Sequence, residues 1–447
     1  MNGLLQNPVY MMGIVIAAVA ALVIMVMKFK INAFIALMIV SIFSALAAGM
    51  TPNDALNSIT NGMGSTLGGI TIIVALGAML GAMLEVSGGA QVMASTLVKW
   101  FGVSKAPLAL VLVGTIVGTP VFLDVAFIIL IPVAYSLAKQ TKKSVLYYSL
   151  PLLAGLAVGH TLIPPTPGPV TVASMIGADL GKVILFGYVV SIPAALVGGL
   201  FYAKYISKKI HVVPPEMPEP VNEESAMPSF GNVVINILLP LILIVTKTIL
   251  DLTMQEGAIL RSIFGFIGSP NVALLISVLF SFVTLGLSRG MTKDKIEKIC
   301  TASLAPAGVI LAVTGAGGVF KQVLIDSGIG SIIAQTMTNM NMSPLIMAYL
   351  IATMMRISVG SATVAMTTAA GIMAPVLAVT PANPALIVLA IGCGAINFVH
   401  FNDSGFWLIS KYSGTDEKDT LKTWSAMATI IGIVGMAIVL LLSLFIK

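Results

Sequence analysis

Arg356 is the only charged residue in residues 344–380. Placing an arginine at the centre of a membrane helix costs roughly 2.5–3.5 kcal/mol, so it must be met by an anion. Two kinds are available: a protein carboxylate, from Asp124 or Asp403, or the carboxylate of a substrate held by a bidentate pair. Ser358, Ser361 and Thr363 surround it and can bond carboxylate oxygens or hydroxyls. Asp124, His160, His400 and Asp403 are the other ionisable groups in apolar surroundings. A carboxylate or imidazole in a poorly hydrated site can exchange a proton near neutral pH. These four are the proton-coupling candidates, and a satisfied structural hydrogen bond is the competing role for each.

All of these residues lie at breaks in long apolar stretches: Gly118-Thr119-Pro120, Pro164-Pro165-Thr166-Pro167-Gly168-Pro169, Ser358-Val359-Gly360-Ser361 and Asn402-Asp403-Ser404-Gly405. Backbone freed from a helix is tolerated in lipid only where it is buried or lines a cavity. There, helix ends offer N–H groups to anions and C=O groups to cations. Thr119, Thr166 and Asn402, with the hydroxyls beside Arg356, are therefore read as substrate ligands. A single break could be a packing kink; four in matching positions point to a site.

The elements that must position these residues are membrane spans. The chain has 447 residues, 58% of them hydrophobic and only 9% charged, against about 25% charged in an average soluble domain. That excludes a soluble enzyme, a disulfide scaffold, a disordered chain and a nucleic-acid binder. The net charge of +6 belongs to membrane anchoring, and the two cysteines and three histidines form no metal motif. A crossing needs about 20 apolar residues, and ordinary spans are expected at 9–27, 31–50, 67–87, 183–206, 232–250, 271–288, 303–325 and 424–446. The first span is followed by Lys28 and Lys30 rather than preceded by charge, unlike a cleavable signal. Segment 106–138 is too long for one crossing and has lysines on both sides, so it reads as a hairpin entering from the cytoplasm. Segment 344–380 reads as a hairpin from the periplasm; 145–178 and 384–410 read as crossings with unwound centres.

In this layout Lys182, Arg261 and Lys447 fall outside, Lys247, Lys321 and Arg356 fall within the membrane, and the rest of the 23 lysines and arginines are cytoplasmic. That is the positive-inside distribution, with both termini outside. The polar stretch 207–230 reads as a cytoplasmic linker between two similar halves, 1–206 and 231–447. Ser87-Gly88-Gly89 matches Ser327-Gly328-Ile329, Pro107-Leu108 matches Pro344-Leu345, and Pro151 matches Pro384. Five crossings per half force the second copy upside down. The fold class is thus an all-α polytopic membrane protein with an inverted repeat: ten spans, two opposed hairpins, and broken helices meeting at the midplane. This architecture is used by secondary transporters.

The remaining intramembrane charges admit plainer readings. Lys321 and Asp326 are expected to be a local pair or snorkelled ends, and Lys247 and Glu85 snorkelled ends. Gly77, Gly81 and the run Gly315-Ala316-Gly317-Gly318 are expected to allow close helix contact.

Four pieces together resemble the gluconate permease family of proton symporters: Gly159-His160 through Pro169, Gly315 through Lys321 to Asp326, Gly360 through Ala365, and His400 through Trp407. The resemblance covers essentially the whole chain. It implies a bacterial inner-membrane carrier that couples gluconate or a related small hydroxy-acid anion to protons, without a cofactor. It also implies a homodimer whose scaffold supports a transport unit moving like an elevator. Many members have His at the place of Thr166, Gly at that of Ala126, and several have Glu at that of Asp124. These departures bear on which acid is carried. A sodium-driven carrier is the alternative, since carbonyls and hydroxyls at the breaks could coordinate Na⁺. An intramembrane enzyme would want a paired nucleophile and base, for which Ser404 beside His400 is the nearest approach. An anion channel would want a continuous pore.

Overall fold

A computed structural model of the chain describes residues 8–214, 227–329, 332, 342–377, 380, 382–400 and 403–446. Every regular element among them is helical. The first half contains α1 (Pro8–Met27), α2 (Ala33–Ala47), α3 (Pro52–Val86), α4 (Gly89–Phe101), α5 (Ala106–Val117), α6 (Leu123–Thr141), α7 (Leu146–Leu162), α8 (Pro167–Ile176) and α9 (Leu180–Ile206). The second contains α10 (Phe230–Thr253), α11 (Ile259–Ile267), α12 (Pro270–Arg289), α13 (Lys293–Asp326), α14 (Pro344–Val359), α15 (Ala362–Leu377), α16 (Pro384–Ala395), α17 (Ser404–Ser413) and α18 (Glu417–Ser443). Among the described residues, nine helical stretches are long and apolar enough to cross a membrane, or ten with α4–α5, which bends by 115°. The chain is an all-helical polytopic membrane protein.

Helices α3 and α13 are the longest, at 35 and 34 residues, or about 50 Å each at 1.5 Å per residue. They start and stop alike. Thr51 Oγ1 accepts the Asp54 N–H at 3.2 Å, and Thr292 Oγ1 accepts the Lys295 N–H at 3.2 Å, each satisfying an orphan first-turn donor. Each ends at a serine followed by a glycine at φ +75°, Gly88 and Gly328, a conformation that disfavours a side chain. The expected spans at 67–87 and 303–325 cover only the apolar parts of these rods. Hydropathy does not register their polar first turns, which the caps hold helical.

The two rods pack against each other. A β-carbon on Gly62 would stand 2.6 Å from the Gly318 carbonyl oxygen, and one on Gly318 would stand 2.7 Å from that of Gly62. Near this contact Ser58 Oγ donates to Asp326, which also accepts from Gln322 Nε2 at 2.9 Å. Asp326 is therefore bound by Ser58 and Gln322, not by Lys321, and the local pair expected from sequence gives way to a link between the halves. Lys247 does not simply snorkel: it pairs with Asp251 at 2.6 Å, and Asp251 also meets Arg261 Nε at 3.3 Å.

Residues 106–138, expected as a hairpin, hold α5 and α6, the second running on to Thr141; residues 344–380, the other expected hairpin, hold α14 and α15. The crossing at 145–178 is broken between α7 and α8, and that at 384–410 between α16 and α17. Small residues seat α5 on α7 and α14 on α16. A β-carbon on Gly118 of α5 would lie 2.8 Å from the Leu156 carbonyl oxygen of α7, and one on Gly159 would lie 2.7 Å from that of Thr115. In the second half α14 packs on α16, where a β-carbon on Gly394 would be 3.1 Å from the Thr353 nitrogen. Two elements differ from the sequence reading. Helix α2 has 15 residues, short of a perpendicular crossing, and the short apolar α11 lies between α10 and α12. The start of the linker is tied to α7, with Val145 N–H donating to Val212 O at 2.9 Å and Val212 N–H to Ser144 Oγ at 3.0 Å.

Candidate substrate site

Residues of α6, α7 and α13 to α18 line a cavity of about 540 Å³. Three helix N-termini open on it: that of α6 at Phe122–Val125, that of α15 at Ser361–Val364, and that of α17 at Asp403–Gly405. The positive ends of their helix dipoles make this an environment for negative charge.

Arg356 sits in the last turn of α14 and is 5% exposed. Gly360, at φ +82°, ends that helix and turns its carbonyl back to accept from Arg356 Nη1. Arg356 Nη2 donates to Asp403 Oδ2. The other oxygen, Asp403 Oδ1, accepts the Gly405 N–H at 2.7 Å and so caps α17. One carboxylate thus ends a helix and answers the buried guanidinium. Of the partners open to Arg356 in the sequence, the structure pairs it with Asp403, while Arg356 Nε has no acceptor among the described residues.

Asp124, in the first turn of α6, reaches the same place from the other half. A β-carbon on Gly405 would stand 3.4 Å from Asp124 Oδ1 and 3.2 Å from Asp403 Oδ1. His160, near the end of α7, lines the cavity with its ring 6.3 Å from that of Phe122; its Nδ1 is buried without a partner among the described residues. With both carboxyl groups ionised, one guanidinium would leave one negative charge uncompensated.

Arg356, Asp124, His160, Asp403, Ser361 and Thr363 are brought to this cavity. Four other residues expected at the site do not line it. The Thr119, Thr166 and Ser358 hydroxyls donate to backbone carbonyls of their own turns, at Thr115, Ile163 and Met354, over 2.9, 2.7 and 2.7 Å. His400 Nε2 lies 2.8 Å from the Ile357 carbonyl oxygen. Asn402 lies outside the described residues. The structure adds what the sequence reading lacked: α13 supplies one wall through Pro306, Val309, Ile310 and Val313, and α18 supplies Trp424. Pro306, inside a long helix, was the only local signal for that wall.

A second cavity of about 440 Å³ shares Phe122, Val125 and Pro306 with the first. Glu85, Lys295 and Lys298, at the ends of α3 and α13, line it.

The chain matches the family model described as GntP family permease over residues 10–445. It is 38% identical to a gluconate permease of Pseudomonas aeruginosa over 445 residues, 98% of this chain and 99% of the relative. It is 39% identical to the Gnt-II system L-idonate transporter of Escherichia coli, covering 95% and 97%, and 39% identical to that organism's high-affinity gluconate transporter, covering 97% and 99%. The crystal structure of the Alcanivorax borkumensis YdaH transporter superposes with a TM-score of 0.67 at 16% identity, over 88% of this chain and 90% of that one, a likeness of fold. With a family match across nearly its whole length and relatives this near, the chain belongs to the GntP family of permeases and is a multi-pass membrane transporter.

Proposed function

We propose that the chain imports gluconate or a closely related sugar-acid or hydroxy-acid anion together with protons across a bacterial inner membrane. The observation that carries this reading is the cluster of Arg356, Asp403 and Asp124 in a largely apolar cavity where three helix N-termini converge. The guanidinium and helix ends favour a carboxylate, and the names of the relatives supply the sugar-acid class.

The charge count supports proton coupling. The empty site carries two carboxylates against one guanidinium. Bringing in a second anion's worth of charge is unfavourable in a medium of low dielectric. A proton taken up at Asp124, Asp403 or His160 removes the excess, after which the substrate carboxylate can share Arg356. Each charge moved across the membrane is worth about 2.3 kcal/mol per 100 mV. One proton per acid makes the step electroneutral, and a second lets the potential drive uptake.

The division of the cavity supports alternating access by an elevator-like movement. One wall belongs to α13, which is packed with α3, Trp424 comes from α18, and most of the remainder comes from α6, α7 and α14 to α17. The latter can move as a unit that carries the site along a fixed rod. The paired caps of α3 and α13 support an inverted repeat of 1–206 and 231–447 about the linker. The positive-inside distribution then puts the second cavity, with Lys295 and Lys298, on the cytoplasmic side.

Uptake of labelled gluconate into proteoliposomes tests the reading. We expect saturable uptake driven by an inward proton gradient in sodium-free buffer, and none with Arg356→Ala protein that is still inserted. Uptake that requires sodium, or is undiminished in Arg356→Ala, overturns it.

A further inference from the structure

Trp424 lines the substrate cavity, is 4% exposed, and its Nε1–H has no acceptor among the described residues. A buried indole nitrogen ordinarily finds a partner, and this one can only donate. The groups just before it in the chain are bonded elsewhere, while the Ser425 hydroxyl beside it is buried without a partner among the described residues. Tyr202 Oη donates to the Lys422 carbonyl, and Thr423 Oγ1 donates to the Asp419 carbonyl at 2.6 Å. Trp424 lies in a π-helical turn, Leu421–Ser425, in an otherwise α-helical span. Such turns insert a residue and re-aim a side chain, often at functional sites. The segment packs against α7 and α17, the helices that carry His160 and Asp403.

We propose that Trp424 is a specificity-determining residue: its Nε1–H donates to a hydroxyl oxygen of a polyhydroxy acid whose carboxylate is held at Arg356. The inference rests on the sugar-acid reading above. Arg356 on α14 and Trp424 on α18 are separate elements facing one cavity, as recognition of two parts of one ligand requires. A neutral single donor cannot balance a carboxylate, so its contribution is selectivity. If packing were its only role, phenylalanine would fill the space without leaving a donor unpaired. A site built to bond a hydroxyl rejects the analogue that lacks it far more strongly than an apolar wall does.

The test is competition by gluconate and by glycolate, which shares the carboxylate end but lacks the polyol tail, measured on wild type and Trp424→Phe in proteoliposomes. Wild type is expected to favour gluconate. Trp424→Phe is expected to weaken gluconate about tenfold, the scale of one lost hydrogen bond, and to leave glycolate within about twofold. In a Trp100→Phe, Trp407→Phe background, where Trp424 is the only fluorophore of its kind, gluconate should shift the emission and glycolate should not. Equal losses for both acids in Trp424→Phe would show a packing role and overturn the inference, as would no loss for either. A wild type that carries a different acid and ignores gluconate overturns the substrate reading. Wild-type gluconate uptake with an unaltered Trp424→Phe overturns the role of Trp424 alone.

Discussion

Asp124 and Asp403 flank the position that a side chain on Gly405 would occupy, at 3.4 and 3.2 Å from its β-carbon. They come from the two halves of the chain and have Arg356 as their nearby cation. Asp403 is committed to Arg356 and to the cap of α17, whereas Asp124 makes no ion pair among the described residues. Asp124 is thus the carboxylate whose charge can change without undoing a helix end. Asp124→Asn fixes the uncharged form. Substrate exchange across the membrane, which needs no net proton movement, should survive in this variant, while accumulation driven by a proton gradient should fall at least about tenfold, since the coupled step is lost. Counterflow and gradient-driven uptake measured on the same vesicles distinguish these. Loss of both would assign Asp124 to binding.

Asp403 does two jobs that substitution can separate. Asparagine keeps an oxygen for the Gly405 N–H and is as good an N-cap as aspartate, but it breaks the direct ion pair with Arg356 and leaves only Asp124 as a nearby carboxylate. Alanine removes both. Uncompensated buried charge costs roughly 3–5 kcal/mol when one partner of a buried pair is deleted, and the lost cap adds about 1 kcal/mol. Thermal unfolding in detergent should rank wild type above Asp403→Asn, and that above Asp403→Ala. An Arg356→Ala, Asp403→Asn double variant should recover part of the stability and none of the uptake. Equal stability of the two single variants would mean that the cap contributes nothing.

The residues of the site were legible in the sequence where they were charged and scarce. Arg356 could not sit in its segment without an anion, and Asp124 and Asp403 were among the few acids near a break. The hydroxyls were less legible. Thr119, Thr166 and Ser358 sit at the breaks, but each satisfies itself on a carbonyl three or four residues back, the usual local alternative for such side chains, and this choice leaves no trace in residue type. The α13 wall was hidden for another reason. Pro306, Val309, Ile310 and Val313 resemble any lipid-facing stretch, and only packing tells an apolar residue facing a ligand from one facing acyl chains. Trp424, close to Lys422, has the pattern of an interfacial aromatic, and the π turn that buries it comes from tertiary packing. The like ends of the α3 and α13 rods were legible in their shared punctuation, Ser87-Gly88 and Ser327-Gly328.

The contact between those rods depends on the absence of two side chains. A β-carbon on Gly62 would come within 2.8 Å of Val319 Cα as well as 2.6 Å of the Gly318 carbonyl oxygen, so backbone, not a yielding side chain, stands in the way. Gly64, on the same helix, has nothing within 4 Å of its β-carbon position. Both glycines carry the same helix-propensity penalty, and replacing either with alanine should gain up to about 1 kcal/mol on that count. At Gly64 that gain should appear as a small rise in melting temperature with uptake unchanged. At Gly62 it is opposed by forcing the rods apart, and overpacking costs about 1–3 kcal/mol, so the melting temperature should fall. The fall should be larger for Gly62→Leu than for Gly62→Ala, whereas Gly64→Leu should stay close to wild type. Because α13 also forms one wall of the cavity, Gly62→Leu should depress uptake in protein that remains folded at the assay temperature. Equal tolerance at the two positions would mean that the rods do not meet at Gly62 and Gly318, and that the cavity wall is held in place by something else.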